Sequence, residues 1–129
     1  NSEQYYIHNH QIDHNLVIEG SRMFTLINPK WDEPHHVIFL NRQMGALKIP
    51  IGTYHRSESG QEGSIVLNQA TRDANFDPKK EFSPVSLKSN KELRQARKVN
   101  PVYWIWKGNK IERITVDSEV FQKDYAIAQ

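Results

Sequence analysis

The sequence predicts an all-β domain, and three observations carry this prediction. The apolar runs are short and have the length of strands, as in Val37 to Leu40 and Gly63 to Leu67. Gly, Pro, Asn and Asp separate these runs, which is typical of all-β proteins. A chain of 129 residues without internal repeats suits one domain. We therefore expect a single domain over residues 1–129, with its core at about residues 5–70 and an extension over residues 71–129.

Seven short strands are readable in the first seventy residues. They are expected at residues 5–10, 15–19, 22–28, 35–40, 45–49, 53–57 and 64–70. Turn residues separate them, for example Asn28-Pro29 and Ile51-Gly52. This alternation of strands and tight turns predicts a β-barrel built from two sheets.

The second half of the chain changes character. Residues 71–84 are polar and contain two prolines, so a long surface loop is expected there. A short helix is predicted at residues 89–98, because its start offers capping side chains and Asn100-Pro101 stops it. Residues 102–114 predict a hairpin that turns at Gly108-Asn109. The last residues are expected to form a loose tail or one more strand.

Composition and charge exclude several classes of protein. The formal charge of +2 is too small to indicate a nucleic-acid partner, although it allows an anionic small ligand. No apolar run approaches the roughly 18 residues that cross a bilayer, so no membrane partner is expected. The absence of cysteine excludes disulfides and thiolate chemistry. It also fits a reducing compartment, and a cytoplasmic location is expected.

Four of the six histidines are candidates for a functional site: three lie near the start of the predicted barrel core and the fourth lies in its second half. The sequence numbers of His8, His10 and His14 differ by two and four. On an extended strand these side chains therefore point to one face, together with the apolar row of Ile12, Leu16 and Ile18. His8 and His10 are therefore expected to face the core, as a site or as satisfied polar groups, with exposure to solvent on an edge strand as the alternative. His35-His36 is different, because neighbours in a strand point to opposite faces, and we interpret this pair as structural or solvated.

The fourth histidine follows a Pro-x-Gly turn. An apolar strand from Gly45 runs into Pro50, which fixes φ, and Gly52, which allows the positive φ that such a turn can need. His55 follows three residues later and is aimed back into the sheet. The sequence thus predicts that His55 shares one cavity with the two histidines of the first strand.

These two segments together resemble the paired motifs of the cupin superfamily. His8-Asn9-His10 followed by Gly20 is similar to the first motif, and residues 45–55 are similar to the second, a glycine, a spacer and Pro-x-Gly-x-x-His. The resemblance covers roughly residues 5–70. It implies a cupin-type double-stranded β-helix, a jelly-roll barrel, here with one short C-terminal helix and a β-hairpin.

Within the superfamily, the sequence looks most like the small cupins that act on nucleotide-linked sugars, the dTDP-4-keto-sugar 3,5-epimerases and 3,4-ketoisomerases. The segments that carry this likeness are the turn from Ile49 to His55, the strand from Val66 to Gln69, and Asn75-Phe76-Asp77. The resemblance implies an isomerase or epimerase in surface-polysaccharide synthesis that works without metal or other cofactor. It also implies a homodimer, in which the aromatic strand from Tyr103 to Trp106 is available to cover a sheet edge.

Chemistry beside a sugar ketone assigns roles to the predicted site residues. One group must remove an α-proton and another must hold the enolate oxygen, and histidine suits the first role because its free pKa lies near 6.5. The expected catalytic residues are His8, His10, Tyr6 and His55, with Tyr6 as the candidate acid. The expected substrate-binding residues are Arg56, Arg72 and Tyr54, and the two arginines can contact a diphosphate through bidentate hydrogen bonds.

Two alternatives remain open at the level of sequence. A metal-dependent cupin would bind one divalent transition metal through His8, His10, His14 and His55, because imidazoles suit Zn, Fe, Ni or Cu better than Mg or Ca. A non-catalytic sugar-binding cupin would instead use the stacking surfaces of Trp31, Trp104 and Trp106, residues that could equally pack over an interface or a barrel end.

Overall fold

The computed structural model describes residues 3–117 and is built mainly from strands. The strands are β1 (Gln4–Tyr5), β2 (Gln11–Ile27), β3 (His35–Asn41), β4 (Leu47–Ile49), β5 (Tyr54–Arg72), β6 (Val85–Ser86), β7 (Val102–Lys107) and β8 (Lys110–Ile114). The helices are α1 (Pro78–Glu81) and α2 (Lys91–Arg97), with short 3₁₀ turns at Arg42–Met44 and Leu87–Ser89. The predicted predominance of strands is confirmed, and the main sheet curls into a half-barrel. The cupin jelly-roll stays a prediction.

A long antiparallel ribbon of β2 and β5 forms the centre of the fold. The sequence predicted four separate strands here, because glycines were interpreted as strand ends. Gly20 and Gly63 instead adopt positive φ values of +77° and +80° inside continuous strands, where the register of the ribbon shifts. A Cβ atom at Gly20 would overlap the carbonyl oxygen of Gly63, so the close approach of the two strands requires glycine. Glycine bulges therefore bend the ribbon without ending it.

The bend lets the two halves of the ribbon enclose the core. Val17 from the first half of β2 packs with Phe24 and Leu26 from the second half. The other buried members of this cluster are Ile38, Leu40 and Ile49. Residues far apart along one strand thereby come together on the inner face of the curl, which is the arrangement that the functional site uses.

Four further strands, β3, β4, β7 and β8, extend this sheet on one side, while β1 and β6 form a separate two-stranded sheet. β3 pairs with the second half of β2 and β4 pairs with the first half, both antiparallel. β7 joins β3 in a parallel arrangement, and β8 returns beside β7 as a hairpin. Gly108 and Asn109 form the turn with φ values of +61° and +64°, so the predicted hairpin is confirmed.

The helix α2 covers the outer face of the curl, and it was also predicted correctly. The Asn90 side chain accepts a hydrogen bond from the Leu93 N–H at 2.9 Å, which caps the helix as the sequence indicated. Leu93 and Ala96 pack in a second buried cluster, whose other members are Tyr5, Ile27 and Tyr54. In residues 3–117 no helix is long and apolar enough to cross a membrane.

Two segments differ from the predicted elements. The predicted strand at residues 5–10 ends at Tyr5, where β1 pairs with β6, and residues 9–10 form a bend. The predicted loop at residues 71–84 contains α1, which begins with Pro78 after the capping side chain of Asp77. The predicted tail lies beyond residue 117, outside the described residues.

Candidate functional site

Backbone hydrogen bonds bring His8 beside His55. The chain after β1 makes an isolated bridge between Tyr6 and His55, with N–H···O distances of 2.9 and 2.8 Å. The Gly52 N–H donates to the His8 carbonyl oxygen at 2.9 Å, and Gly52 has the predicted positive φ of +78°. The turn therefore holds both histidines, and their ring centroids lie 4.8 Å apart.

Asp13 is the carboxylate that the two imidazoles share. Its Oδ2 atom lies 3.3 Å from His8 Nε2 and 3.8 Å from His55 Nε2. Its Oδ1 atom accepts a hydrogen bond from Gln11 Nε2 at 2.7 Å. The Asp13 residue is only 5% exposed, so its charge is compensated by these neighbours rather than by water. Because each of His8, Asp13 and His55 offers one ligand atom within 4.8 Å of the others, this group can hold a metal ion.

A second buried carboxylate, that of Glu81, lies on the other side of His8. Glu81 Oε2 is 3.4 Å from His8 Nδ1 and accepts a hydrogen bond from the Asn9 N–H at 3.1 Å. His8 Nδ1 makes no hydrogen bond, so its contact with the Glu81 carboxylate is electrostatic. The Phe82 ring meets the His8 ring edge-on at 5.6 Å. His8 is thus enclosed by two carboxylates and an aromatic ring.

The surroundings of His8 and His55 shift the pKa values of the two imidazoles in opposite directions. Burial on its own lowers the pKa of His8, but the Asp13 carboxylate, and then the backbone and the carboxylate of Glu81, raise that pKa above its usual value. Burial lowers the pKa of His55, and the carbonyl of Thr53 offsets this only in part. His55 Nδ1 lies 3.1 Å from that carbonyl oxygen and is assigned as the donor, which leaves the Nε2 lone pair free. Burial raises the pKa of Asp13, but contacts with His8 and Gln11 bring it below its usual value, so Asp13 stays ionised.

The pair lies on the wall of a cavity of about 380 Å³. Small-molecule sites typically measure about 300–1,000 Å³, so a compact substrate fits. The lining residues are Tyr6, His8, Gln11, Asp13, His55, Asn68, Ala70, Arg72 and Phe82. The wall of this cavity therefore combines apolar surface with the two imidazoles, one carboxylate, two amides and the basic side chain of Arg72.

Two of the predicted histidines lie outside this cavity. The exposed His10 Nδ1 lies 2.9 Å from Asp73 Oδ2, because the chain bends at residues 9–10 and turns the ring away from His8. His14 follows Asp13 in the regular part of β2, so its side chain points to the opposite face. The prediction that His8 and His10 share one face is therefore wrong, and the catalytic assignment of His10 and the ligand assignment of His14 lose their geometric basis.

The other predicted residues divide between cavity and outer surface. Tyr6 lines the cavity and is 40% exposed, and Arg72 lines it while donating its Nε–H to Gln11 Oε1 at 2.8 Å. Tyr54 is buried in the cluster under α2, where its hydroxyl accepts from Asn90 at 3.2 Å. Arg56 lies outside the cavity and pairs with Glu58 at 2.9 Å. Tyr54 and Arg56 thus do not contribute to this cavity.

Asp13 and Glu81 are the residues that sequence reasoning did not assign to the site. On β2 the buried face carries Gln11, Asp13 and Asn15, whereas the apolar row that was expected to face the core is partly exposed. This alternation of three polar residues was a usable signal, because it marks one strand face. Glu81 had no comparable signal, since a glutamate that follows two lysines is typical of a charged surface segment.

The tryptophans belong to a separate region. Trp31 and Trp104 line an apolar cavity of about 330 Å³, and Trp104 Nε1–H donates to His36 Nδ1 at 3.0 Å. Trp106 does not line this cavity. The buried His35 bonds the Val99 carbonyl oxygen at 2.9 Å, which confirms the structural interpretation of the His35-His36 pair.

Comparison with known proteins found no matching family model, no matching curated protein and no matching solved structure. The functional argument therefore depends on the geometry of the site itself.

Proposed function

We propose that the protein is an isomerase or epimerase that moves protons beside the ketone of a nucleotide-linked keto-sugar, in surface-polysaccharide synthesis. The observation that carries this proposal is the pair of buried imidazoles, His8 and His55, which share Asp13 and have pKa values displaced in opposite directions. Titratable neighbours that are driven apart in this way are the usual basis for dividing acid and base roles. Their place on the wall of a cavity puts both within reach of one substrate.

His55 is the base in this proposal. Its Nδ1–H is held by the Thr53 carbonyl, so Nε2 can accept the α-proton of the sugar. The electron pair of the broken C–H bond then forms an enolate with the adjacent carbonyl. His8, whose pKa is raised by Asp13 and Glu81, and the Tyr6 hydroxyl stabilise the enolate oxygen. Delivery of a proton from solvent to the opposite face of the enolate inverts the centre. To move the ketone, His55 instead returns the proton to the former carbonyl carbon, while the hydroxyl proton of the α-carbon passes to the former carbonyl oxygen.

Arg72 supports the nucleotide-linked part of the substrate. Its Nε–H is used by Gln11, and its guanidinium lies over the Phe76 ring at 4.2 Å. Among residues 3–117 no carboxylate forms an ion pair with it, so its terminal nitrogens can bind an anionic group. Gln11 and Asn68 add amides to the same wall. A diphosphate at Arg72 would orient the sugar ring toward the histidine pair.

Solvent-deuterium exchange into a panel of dTDP-4-keto-sugars tests this function. We expect the wild-type protein to introduce deuterium at the carbon next to the ketone, detected by mass spectrometry, and His55→Gln to abolish the exchange. His14→Gln is the matched control, because His14 lies on β2 and points to the face opposite to Asp13. His10→Gln should also retain exchange. Absence of exchange by the wild-type protein across the panel would reject the proposal.

A metal-dependent enzyme is the second candidate, and one observation favours it. Two imidazoles and one carboxylate converge at His8, His55 and Asp13, a donor set that suits Zn, Fe, Ni or Cu. Their outer contacts fit this role too, since Gln11 holds Asp13 and the Thr53 carbonyl orients His55. Elemental analysis of untagged protein, purified without chelator, separates the candidates. Stoichiometric metal that is lost in His55→Ala would favour the metal enzyme over the metal-free reaction.

A further inference from the structure

Glu81 is a buried carboxylate with no cationic side chain of lysine or arginine to balance it. The residue is 2% exposed, and within residues 3–117 its polar side-chain contacts are the His8 ring and the Asn9 N–H. A buried carboxylate is unfavourable unless partners compensate its charge. The fold therefore keeps Glu81 where it faces His8, although the surrounding segment is largely exposed.

The local structure of α1 aims Glu81 inward. Asp77 Oδ1 accepts the Lys79 N–H at 3.0 Å, and the Asp77 carbonyl accepts the N–H groups of Lys80 and Glu81 at 3.0 Å each. Pro78 occupies the first turn, where its missing N–H is not needed. The two lysines stay exposed while Glu81 is buried. This single helical turn thus directs one carboxylate into the interior.

His8 is held on both edges of its ring. Asp13 lies 3.3 Å from Nε2 and Glu81 lies 3.4 Å from Nδ1, while Phe82 packs on the ring from the side. Asp13 and His8 line the cavity, but Glu81 does not. Glu81 is therefore placed behind His8, where it touches the imidazole and not the space for a substrate.

We propose that Glu81 is a positioning residue that fixes the plane of the His8 imidazole against Asp13 and His55. Its catalytic consequence rests on the proton-transfer function proposed above. Without the carboxylate at Nδ1, the His8 ring can rotate away from the position from which it stabilises the enolate. Partners behind a functional histidine commonly have such an effect on ring orientation.

The variant Glu81→Gln tests this role with little change of shape. Glutamine keeps an oxygen that can accept the Asn9 N–H, but it removes the charge that faces His8. We expect kcat for deuterium exchange to fall by about 10–100-fold, by analogy with the partners that orient metal-ligating histidines. KM should change little, because Glu81 does not line the cavity. Glu92→Gln, an exposed glutamate on α2, is the matched control and should leave both constants unchanged.

A readout independent of activity is the nuclear Overhauser effect between ring protons. In the wild-type protein we expect cross-peaks from His8 to His55 and to Phe82, whose ring centroids lie 4.8 and 5.6 Å away. In Glu81→Gln these should weaken, while the Trp31–His36 contact at 5.7 Å stays unchanged as the internal reference. Undiminished His8 cross-peaks in a folded Glu81→Gln variant would overturn the proposal.

Two further outcomes are decisive. If the wild-type protein exchanges no keto-sugar, the proposed reaction fails, and the cross-peaks alone still decide whether Glu81 orients His8. If Glu81→Gln does not fold, Glu81→Asp replaces it, because it keeps the charge but withdraws it by one methylene. The proposal then expects a partial loss of both kcat and the His8–His55 cross-peaks, and full retention of both would contradict it.

Discussion

Replacing Asp13 with asparagine removes the charge that His8 and His55 share and keeps the side-chain shape. At 3.3 Å and an effective dielectric constant of about 20, the attraction between Asp13 and a charged His8 is roughly 5 kcal/mol before desolvation. Breaking a buried pair by removing one partner typically destabilises by about 3–5 kcal/mol. Both side chains are 7% exposed, so solvent screening reduces this little. We expect Asp13→Asn to lower the free energy of unfolding by about 3 kcal/mol, which corresponds to a melting temperature lower by on the order of 10 °C.

The size of this loss should depend on pH in a defined direction. The pKa of His8 is raised in the folded protein, so the stabilisation is complete below its unfolded pKa of about 6.5 and is lost as the pH rises through the folded pKa. The pKa of Asp13 is lowered, so its contribution is present above its ordinary value of 3.8 and is lost only at lower pH. The difference between wild type and Asp13→Asn is therefore expected to be larger at about pH 5.5 than at about pH 9.

Urea unfolding at these two pH values measures the effect. Asp73→Asn is the matched control, since Asp73 contacts His10 in an exposed pair on the surface. Surface pairs of this kind contribute little to stability, so the control should stay near wild type at both pH values. A loss for Asp13→Asn that is equal at both pH values, or larger at pH 9, would refute the reasoning that links Asp13 to a charged His8.

Three other predictions address the cavity, the bend and the assembly. Arg72→Gln should raise KM for a nucleotide-linked sugar about tenfold, since a charge-assisted hydrogen bond contributes about 1.5 kcal/mol, and an unchanged KM would remove Arg72 from substrate binding. Gly20→Ala should lower the free energy of unfolding by at least about 2 kcal/mol, because left-handed strain adds to the overlap with Gly63, whereas Gly52→Ala, with open space around it, should be affected less. Sedimentation should show a homodimer at micromolar concentration, and a purely monomeric protein would contradict that prediction.

Elements with local signals could be predicted from the sequence. The helix α2 was found because Asn90 caps it, and the hairpin was found because Gly108-Asn109 supplies the residues that its turn requires. The turn before His55 was predicted for the same reason, since Gly52 takes the positive φ that its position indicated. In each case a few neighbouring residues determine the conformation.

The paths of the long strands could not be derived in this way. Whether a glycine ends a strand or bends it depends on the partner strand, as the contact between Gly20 and Gly63 shows. The bend at residues 9–10 likewise invalidated the parity argument that grouped His8 with His10. Parity applies only within an uninterrupted strand.

The buried polar residues of the site could not be predicted from the sequence either. The inner face of β2 is polar at Gln11 and Asp13, so the usual assumption that apolar residues face inward placed the wrong side in the interior. Glu81 contacts His8 although it lies more than seventy residues further along the chain, and no local pattern marks it. Asp13 and Glu81 could therefore be assigned to the site only from the tertiary structure.

Deuterium exchange measured on chelator-treated protein tests the central claim most directly. The claim is that the His8–His55 pair, and not a bound metal, moves the proton beside the ketone of a nucleotide-linked sugar. It predicts that protein stripped of metal and untreated protein incorporate deuterium at the same rate, and that His55→Gln incorporates none. Exchange that disappears on stripping and returns with added zinc or iron would contradict the claim, as would a His55→Gln variant that exchanges like the wild type.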